Sequence, residues 1–295
     1  MKNAEEIARK EDMKFDGNIF LKTLTALDEK PTRIISPGTE DKNISMWIKS
    51  EDESAVGSHK HFALRCQIAY MKACGIKKGV ISSSGNAAIA AACYGKKAGI
   101  EVDVYVSPRT AAGKLSMLKK WGARLVVSDA AAREVNRLAA NGGARNLRPS
   151  MDPLARIGFQ TLAYEIVKEL GTGLFSQIKN IFIFSTSGAS YCGLCDGLEK
   201  MHGAHLISRV PRLFPVVGCA GGLGVKHSAL ANEVKRIAKK TGGKEISVSR
   251  ERLSSFIEKF PRLKLSEESL SSFAAGFDFG NASDTLVIST GKLWT

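Results

Sequence analysis

Gly57-Ser58-His59-Lys60 and, further along, Ser82-Ser83-Ser84-Gly85-Asn86 decide how this chain is read. The first places one lysine directly behind two small residues. The second is a serine-rich turn that ends in Gly-Asn, with an apolar run at 79–82 before it and an alanine-rich helix after it. Ala87, Ala88, Ala90, Ala91, Ala92 and Ala98 line one side of that helix. Alanine has the best intrinsic helix propensity, and its small side chain lets a helix lie close to a sheet. Gly99 supplies the C-terminal stop. Because the helix begins at Asn86, its unpaired N–H groups face whatever the serine turn binds, and an anionic group such as a carboxylate is stabilised there.

Outward from this strand–turn–helix, the same alternation repeats. Strands are expected at 44–49, 79–82, 102–106, 124–128, 180–184, 213–217 and 285–289. They are short and mostly lack in/out alternation, the pattern of strands buried on both faces of a parallel sheet. Helices are expected at 61–74, 86–98, 111–121, 130–140, 153–170, 190–201, 228–240, 250–260 and 267–275. Repeated β-then-α order gives an α/β protein with wound, mainly parallel sheets.

The 295 residues are 44% hydrophobic and 24% charged, ordinary values for a globular protein. No run approaches the ~18 apolar residues of a membrane helix, so no membrane partner is expected. Met1-Lys2-Asn3-Ala4-Glu5-Glu6 puts acids where a signal peptide has its apolar core, and transit peptides avoid acids, so a cytoplasmic location is expected. The six cysteines are too few and scattered for a disulfide framework. Cys192-Gly193-Leu194-Cys195 has redox or half-zinc spacing, but no second pair completes four ligands. Two small residues on a helix face are the expected reading, with no metal. The net charge is +14, and residues 190–264 carry fourteen basic against six acidic side chains. Lys235, Arg236, Lys239 and Lys240 fall on one solvated helix face. No zinc-finger spacing or aromatic RNA-binding signature accompanies them, so this face suits anionic small molecules rather than nucleic acid.

The chain resembles the fold type II pyridoxal 5'-phosphate (PLP) enzymes, the group of the tryptophan synthase β chain, cysteine synthase, threonine and serine dehydratases and threonine synthase. The resemblance covers roughly residues 44–292 as blocks in the family's order. Met46-Trp47-Ile48-Lys49-Ser50-Glu51 looks like the strand leading into the lysine motif. Gly57-Ser58-His59-Lys60 matches G-S-x-K, which implies that Lys60 is the Schiff-base lysine. Ser83-Ser84-Gly85-Asn86 resembles the asparagine loop. Trp121-Gly122-Ala123-Arg124-Leu125 is similar to the family's G-A turn, and Gly158-Phe159-Gln160-Thr161 with Glu165-Ile166 to its G-x-x-T…E-I block. Thr186-Ser187-Gly188-Ala189-Ser190 occupies the phosphate-loop position. Ser289-Thr290-Gly291 stands where the family places a hydroxyl facing the pyridine nitrogen.

These assignments make chemical sense. Lysine, with a free pKa of ~10.4, must lose its charge to attack an aldehyde, and afterwards the same amine can move the α-proton. Asn86 can donate to the ring 3'-oxygen, or serve as a helix N-cap. Ser83, Ser84 and the Ala87 N–H are candidates to hold a substrate carboxylate. Thr186, Ser187, Gly188, Ala189 and Ser190 offer small side chains and hydroxyls for a phosphate, although with less glycine than the family usually has. A hydroxyl from Ser289 or Thr290 does not force the pyridine nitrogen to protonate, which suits elimination and replacement more than transamination.

The resemblance implies a two-lobed fold type II enzyme, each lobe a mainly parallel twisted sheet flanked by helices. A large lobe is expected over 1–80 plus 150–295 and a small mobile lobe over 81–149. The activity expected is a threonine synthase-like lyase or synthase reaction of amino-acid metabolism: β,γ-elimination and replacement on a phosphorylated homoserine-type substrate, by a homodimer. Cysteine synthase-like β-replacement, serine/threonine dehydratase-like deamination and a catalytically silent PLP-binding relative are the alternatives. His61-Phe62 replaces the acid and arginine usual after the lysine. Pro31-Thr32-Arg33 matches the family's N-terminal T-P-L segment poorly. A Rossmann reading of residues 218–224 has the wrong glycine spacing.

Overall fold

The computed structural model describes residues 1–39, 42–110, 112–218, 228–279 and 282–293. Cys219 and residues 219–224 of the glycine-rich run lie outside the described residues, as does Ala111. In chain order the elements are α1 (Lys2–Lys10), α2 (Gly17–Ala26), β1 (Ile34–Ile35), β2 (Trp47–Ser50), α3 (Lys60–Ala73), β3 (Lys78–Ser82), α4 (Asn86–Ala98) and β4 (Glu101–Val106). Then follow α5 (Ala112–Lys120), β5 (Arg124–Val127), α6 (Ala131–Ala140), β6 (Arg145–Asn146), α7 (Pro153–Phe175), β7 (Asn180–Phe184) and α8 (Ala189–Gly203). The chain finishes with β8 (Arg212–Gly218), α9 (Ala231–Thr241), β9 (Ile246–Val248), α10 (Arg250–Lys259), α11 (Glu267–Phe279) and β10 (Thr285–Ser289).

Two compact units result: residues 1–29 with 60–158, and residues 30–59 with 159–294. The division differs from the expected 81–149 lobe. Residues 60–80 belong with the asparagine turn because α3 and α4 pack on each other, and α2 packs on α3 in turn. The helices α1 and α2 were not anticipated, and they join this unit through Ala4, Ala8 and Phe20, buried against Cys66, Ala69 and Tyr70. One boundary therefore falls on the peptide bond between His59 and Lys60.

The first unit holds a parallel four-stranded sheet in the order β5-β4-β3-β6. Its α4 is buried continuously from Ala87 to Gly95, not on one side only. A Cβ on Gly95 would stand 2.4 Å from Val102 Cγ2, which shows how tightly this helix lies on β4. Gly99 ends the helix in the left-handed conformation.

The second unit holds a six-stranded sheet in the order β1-β2-β10-β7-β8-β9, antiparallel only at β1. Every residue of β7 and β10 is buried, as strands covered on both faces must be. From β7 the chain winds outward through β8 and β9, whereas β10 pairs on β7's other edge. That reversal is a topological switch point, and parallel sheets bind ligands beyond the carboxyl ends of the strands there. The expected strand at 44–49 begins later, at Trp47; Ile44 and Met46 instead enter the core beside Phe182 and Phe273.

Candidate active site

At the switch point, β10 runs between β2 and β7, with Ser289 opposite Ser50 and Ile288 opposite Ile183. Just past β10, the Thr290–Gly291 turn is fastened from both sides. Ser269 Oγ, on α11, accepts from the Thr290 and Gly291 N–H groups at 3.0 Å each and donates to the Gly291 carbonyl at 2.9 Å. The Ser266 N–H meets that carbonyl too, at 3.1 Å. From the other side the segment before Lys60 runs antiparallel to the turn: Ser58 bridges Gly291, and the Lys292 N–H donates to the Gly57 carbonyl. The His59 N–H and ring Nδ1 both reach the Thr290 carbonyl, at 3.2 and 2.6 Å.

Ser289 is fully buried, its hydroxyl 3.4 Å from Ser269 Oγ and hydrogen-bonded to the Asp52 carboxylate. Burial pushes the Asp52 carboxyl above its usual range, against the opposing pull of the Ser289 bond, and Asp52 Oδ1 is buried without a hydrogen-bond partner among the described residues. Two further hydroxyls, Ser58 Oγ and Ser185 Oγ, are buried without partners among the described residues at this end of the sheet. Unsatisfied buried polar atoms are uncommon, and three near one set of strand ends mark a place that a polar group completes.

The loop Thr186-Ser187-Gly188-Ala189-Ser190 leads from β7 into α8. Gly188 is the N-cap with φ +86°, and among the described residues no side chain caps the helix, so none of them closes off its first-turn N–H groups. A Cβ on Gly188 would stand 2.5 Å from Val234 Cγ2, because α9 packs against the loop. Ser228 Oγ donates to the Ser187 carbonyl at 2.6 Å and holds it from the same side.

In the other unit, Lys60 is the first residue of α3 and half-buried. Ser83 and Ser84 form the turn after β3, where the Gly85 N–H donates to Ser83 Oγ at 3.2 Å. Gly85, not Asn86, is the N-cap of α4; Asn86 is its first helical residue, followed by buried Ala87. The capping alternative for Asn86 is thereby displaced by one position. His61 and Phe62, which replace the family's acid and arginine, are buried with ring centroids 3.8 Å apart. Gly158 explains its block: a Cβ there would stand 2.3 Å from the Phe62 carbonyl oxygen.

Ser269, Asp52 and the role of His59 were not found from sequence. Lys49 is fully buried among Glu51, Glu165 and Glu169 at 3.7, 3.3 and 3.1 Å, and it donates to the Thr32 carbonyl at 2.6 Å. One ammonium thus ties the strand before the lysine motif to Glu165 of the E-I block. The Cys192–Cys195 pair sits buried on α8, and burial pushes the Cys195 thiol up, as does the nearby Glu199 carboxylate. Neither a disulfide nor a metal-binding cluster occurs among the described residues. Lys235, Arg236, Lys239 and Lys240 are exposed on α9 as expected. No described helix is long and apolar enough to cross a membrane.

Residues 26–264 match the family described as pyridoxal-phosphate dependent enzymes. The chain belongs to that family. Threonine synthase from Synechocystis sp. is 30% identical over 135 residues, 44% of this chain and 35% of the relative. The chain spans between about a third and just over half the length of the curated relatives it matches. Among solved structures, a PLP-dependent aspartate racemase superposes with a TM-score of 0.75 at 17% identity, over 95% of this chain and 96% of that one. An O-acetylserine dependent cystathionine beta-synthase from Helicobacter pylori gives 0.73 at 18%, over 92% and 94%. These likenesses establish the fold, α/β with parallel sheets as in fold type II enzymes.

Pyridoxal 5'-phosphate is the cofactor of this pyridoxal-phosphate dependent enzyme. The residues present fit it: an uncapped helix start with small hydroxylated residues for a phosphate, and orphaned buried hydroxyls at neighbouring strand ends.

Proposed function

We propose that this pyridoxal-phosphate dependent enzyme carries out elimination and replacement on a small amino acid, in the manner of threonine synthase, with a phosphorylated homoserine-type substrate. The observation that carries the reading is the strand-end arrangement at β7 and β10, which sets an uncapped, hydroxyl-rich helix start on one strand and a fastened Thr-Gly turn on the next. The match to threonine synthase and the net charge of +14, suited to an anionic substrate, support the choice of reaction.

In this proposal Thr186, Ser187, Gly188, Ala189 and Ser190 take the cofactor phosphate. Thr290 presents its hydroxyl to the pyridine nitrogen. Ser289 is the weaker candidate, since its own hydroxyl is enclosed between Ser269 and Asp52. Asn86 restrains the ring, and Ser83, Ser84 and the Ala87 N–H hold the substrate carboxylate at the start of α4. Lys60 anchors the cofactor and, once the substrate has displaced it, takes the α-proton and returns it. When bound, the cofactor supplies the electron sink for the charge left at the α-carbon. A homodimer belongs to the same reading, and light scattering tests it.

The purified protein should absorb in the near-visible range, and Lys60→Ala should lose that band. Phosphohomoserine should shift the band and release phosphate. A shift with serine or threonine and none with phosphohomoserine would replace this reading with β-replacement or deamination.

A further inference from the structure

His59 is the variable residue of the Gly-Ser-x-Lys motif, and nothing in the motif demands an imidazole there. Its ring is 5% exposed and stacks on Phe159, with centroids 5.5 Å apart and planes 29° apart. The Nδ1 lies 2.6 Å from the Thr290 carbonyl oxygen. An oxygen of that kind only accepts, so Nδ1 carries the proton and donates. The same oxygen also takes the His59 main-chain N–H, at 3.2 Å. On the other side of Thr290, its N–H is bonded to Ser269 Oγ. With the N–H and the carbonyl of one residue both fixed, its φ and ψ are fixed, and with them the direction of its Cα–Cβ bond.

We propose that His59 is a positioning residue: by donating from Nδ1 to the Thr290 carbonyl, it sets the direction of the Thr290 hydroxyl at the end of β10. This rests on the assignment of Lys60 and Thr290 to the cofactor. The Thr290–Gly291 peptide is held at its N–H by Ser269 Oγ and at its carbonyl by the His59 main-chain N–H. The side-chain bond, the shorter of the two on that carbonyl, fixes the direction of the oxygen further.

The test is a series at position 59 read by PLP affinity and by the position of the near-visible band. His59→Phe keeps a flat ring for the Phe159 stack and removes the Nδ1 donor. A hydrogen bond of this kind contributes about 1 kcal/mol, so affinity should fall roughly fivefold to tenfold and the band should move. His59→Asn places an amide N–H near the Nδ1 position and should restore affinity to within about threefold, whereas His59→Gln, with its donor one bond further out, should not. Affinity and band unchanged in His59→Phe would overturn the proposal, as would equal loss in Phe, Asn and Gln variants. Nitrogen-15 NMR of the cofactor-free wild type gives an independent reading: a proton on Nδ1 of His59 is expected, and an Nε2–H tautomer overturns it. A wild-type protein that never gains a band with PLP, while His59 shows the Nδ1 proton, would instead sink the Lys60 assignment and leave the hydrogen bond standing.

Discussion

The two units offer their candidate site residues in opposite ways. In the six-stranded unit, Thr290 and Gly291 are held at every main-chain polar group named above, by Ser269, Ser266 and His59, in fully buried surroundings. In the four-stranded unit, the Ser83–Gly85 turn is half-buried; the Gly85 N–H donates to Ser83 Oγ at 3.2 Å, and the Gly85 carbonyl accepts from the Ala88 and Ile89 N–H groups of α4 at 2.9 and 3.2 Å. A Cβ on Gly85 would meet nothing within 4 Å, whereas one on Gly188 would collide with Val234. A rigid seat suits a cofactor that never leaves, and a roomier turn suits a substrate that must enter and depart. The contrast teaches that residues proposed for the cofactor and residues proposed for the substrate differ in how firmly each unit holds them.

The largest expected effect is at the seat. Ser269→Ala removes the acceptor of two buried N–H groups, each of which costs about 1–3 kcal/mol when left unpaired, so a loss of about 3 kcal/mol in unfolding stability is expected. Denaturant titration measures it, and a loss below about 1 kcal/mol would show that the seat is not held as described. Next is Gly188→Ala. The left-handed backbone costs a residue with a Cβ about 1–2 kcal/mol, and the approach to Val234 adds strain, so a loss of about 2 kcal/mol with weaker binding of PLP is expected. Retention of wild-type affinity in a folded Gly188→Ala would remove this loop from the phosphate.

Much of this architecture was legible because it is local. The spans of α4, α6, β4 and β7 follow from helix formers, glycine stops and unbroken apolar runs, and Lys60 and Asn86 stand in motifs of adjacent residues. What escaped is either short or distant. The two or three residues of β1, β6 and β9 are too few to show a period. Helix α1 buries only Ala4 and Ala8 of its nine residues, so its composition reads as solvated, although the cap from Asp16 to the Asn18 and Ile19 N–H groups of α2 was there to be seen. Ser269 serves residues more than twenty positions away, and a serine inside Ser266-Glu267-Glu268-Ser269 signals a helix start, not a partner on β10. His59 filled the one position of its motif that carries no rule. Asp52 followed a glutamate whose own partner is Lys49, and only the register of β2 with β10 sets it beside Ser289.

Asp52 sharpens the comparison through pH. Burial raises its carboxyl in the folded protein above the value of ~3.9 it has when unfolded. Below that unfolded value both states are protonated and the group has no effect. As pH climbs through the raised folded value, the native state is the one obliged to give up a proton it holds more tightly, so stability is lost. Asp52→Asn abolishes this titration. The variant should therefore gain on the wild type between pH 4 and pH 7, by less than either change at the seat. Melting curves at the two values check it, and a difference that does not vary with pH would mean that Asp52 is not desolvated beside Ser289.

The smallest effects belong to the serine turn, and their smallness is the point. Ser83→Ala removes one half-buried acceptor, and Gly85→Ala adds a methyl group to open space at φ −114°, a backbone that alanine adopts readily. Each should change unfolding stability by no more than about 1 kcal/mol, because Ser83→Ala gives up one half-buried hydrogen bond and Gly85→Ala puts a less favoured residue at the N-cap of α4. PLP affinity should stay near wild type in both, because the phosphate loop and the Thr290 seat are untouched. The effect should fall on the amino acid: Ser83→Ala loses a hydroxyl proposed for the carboxylate, so the concentration of phosphohomoserine needed to shift the near-visible band should rise about tenfold. If Ser83→Ala instead destabilises the fold as much as Ser269→Ala does, the turn is as firmly built as the seat. The division of labour between the two units would then be lost.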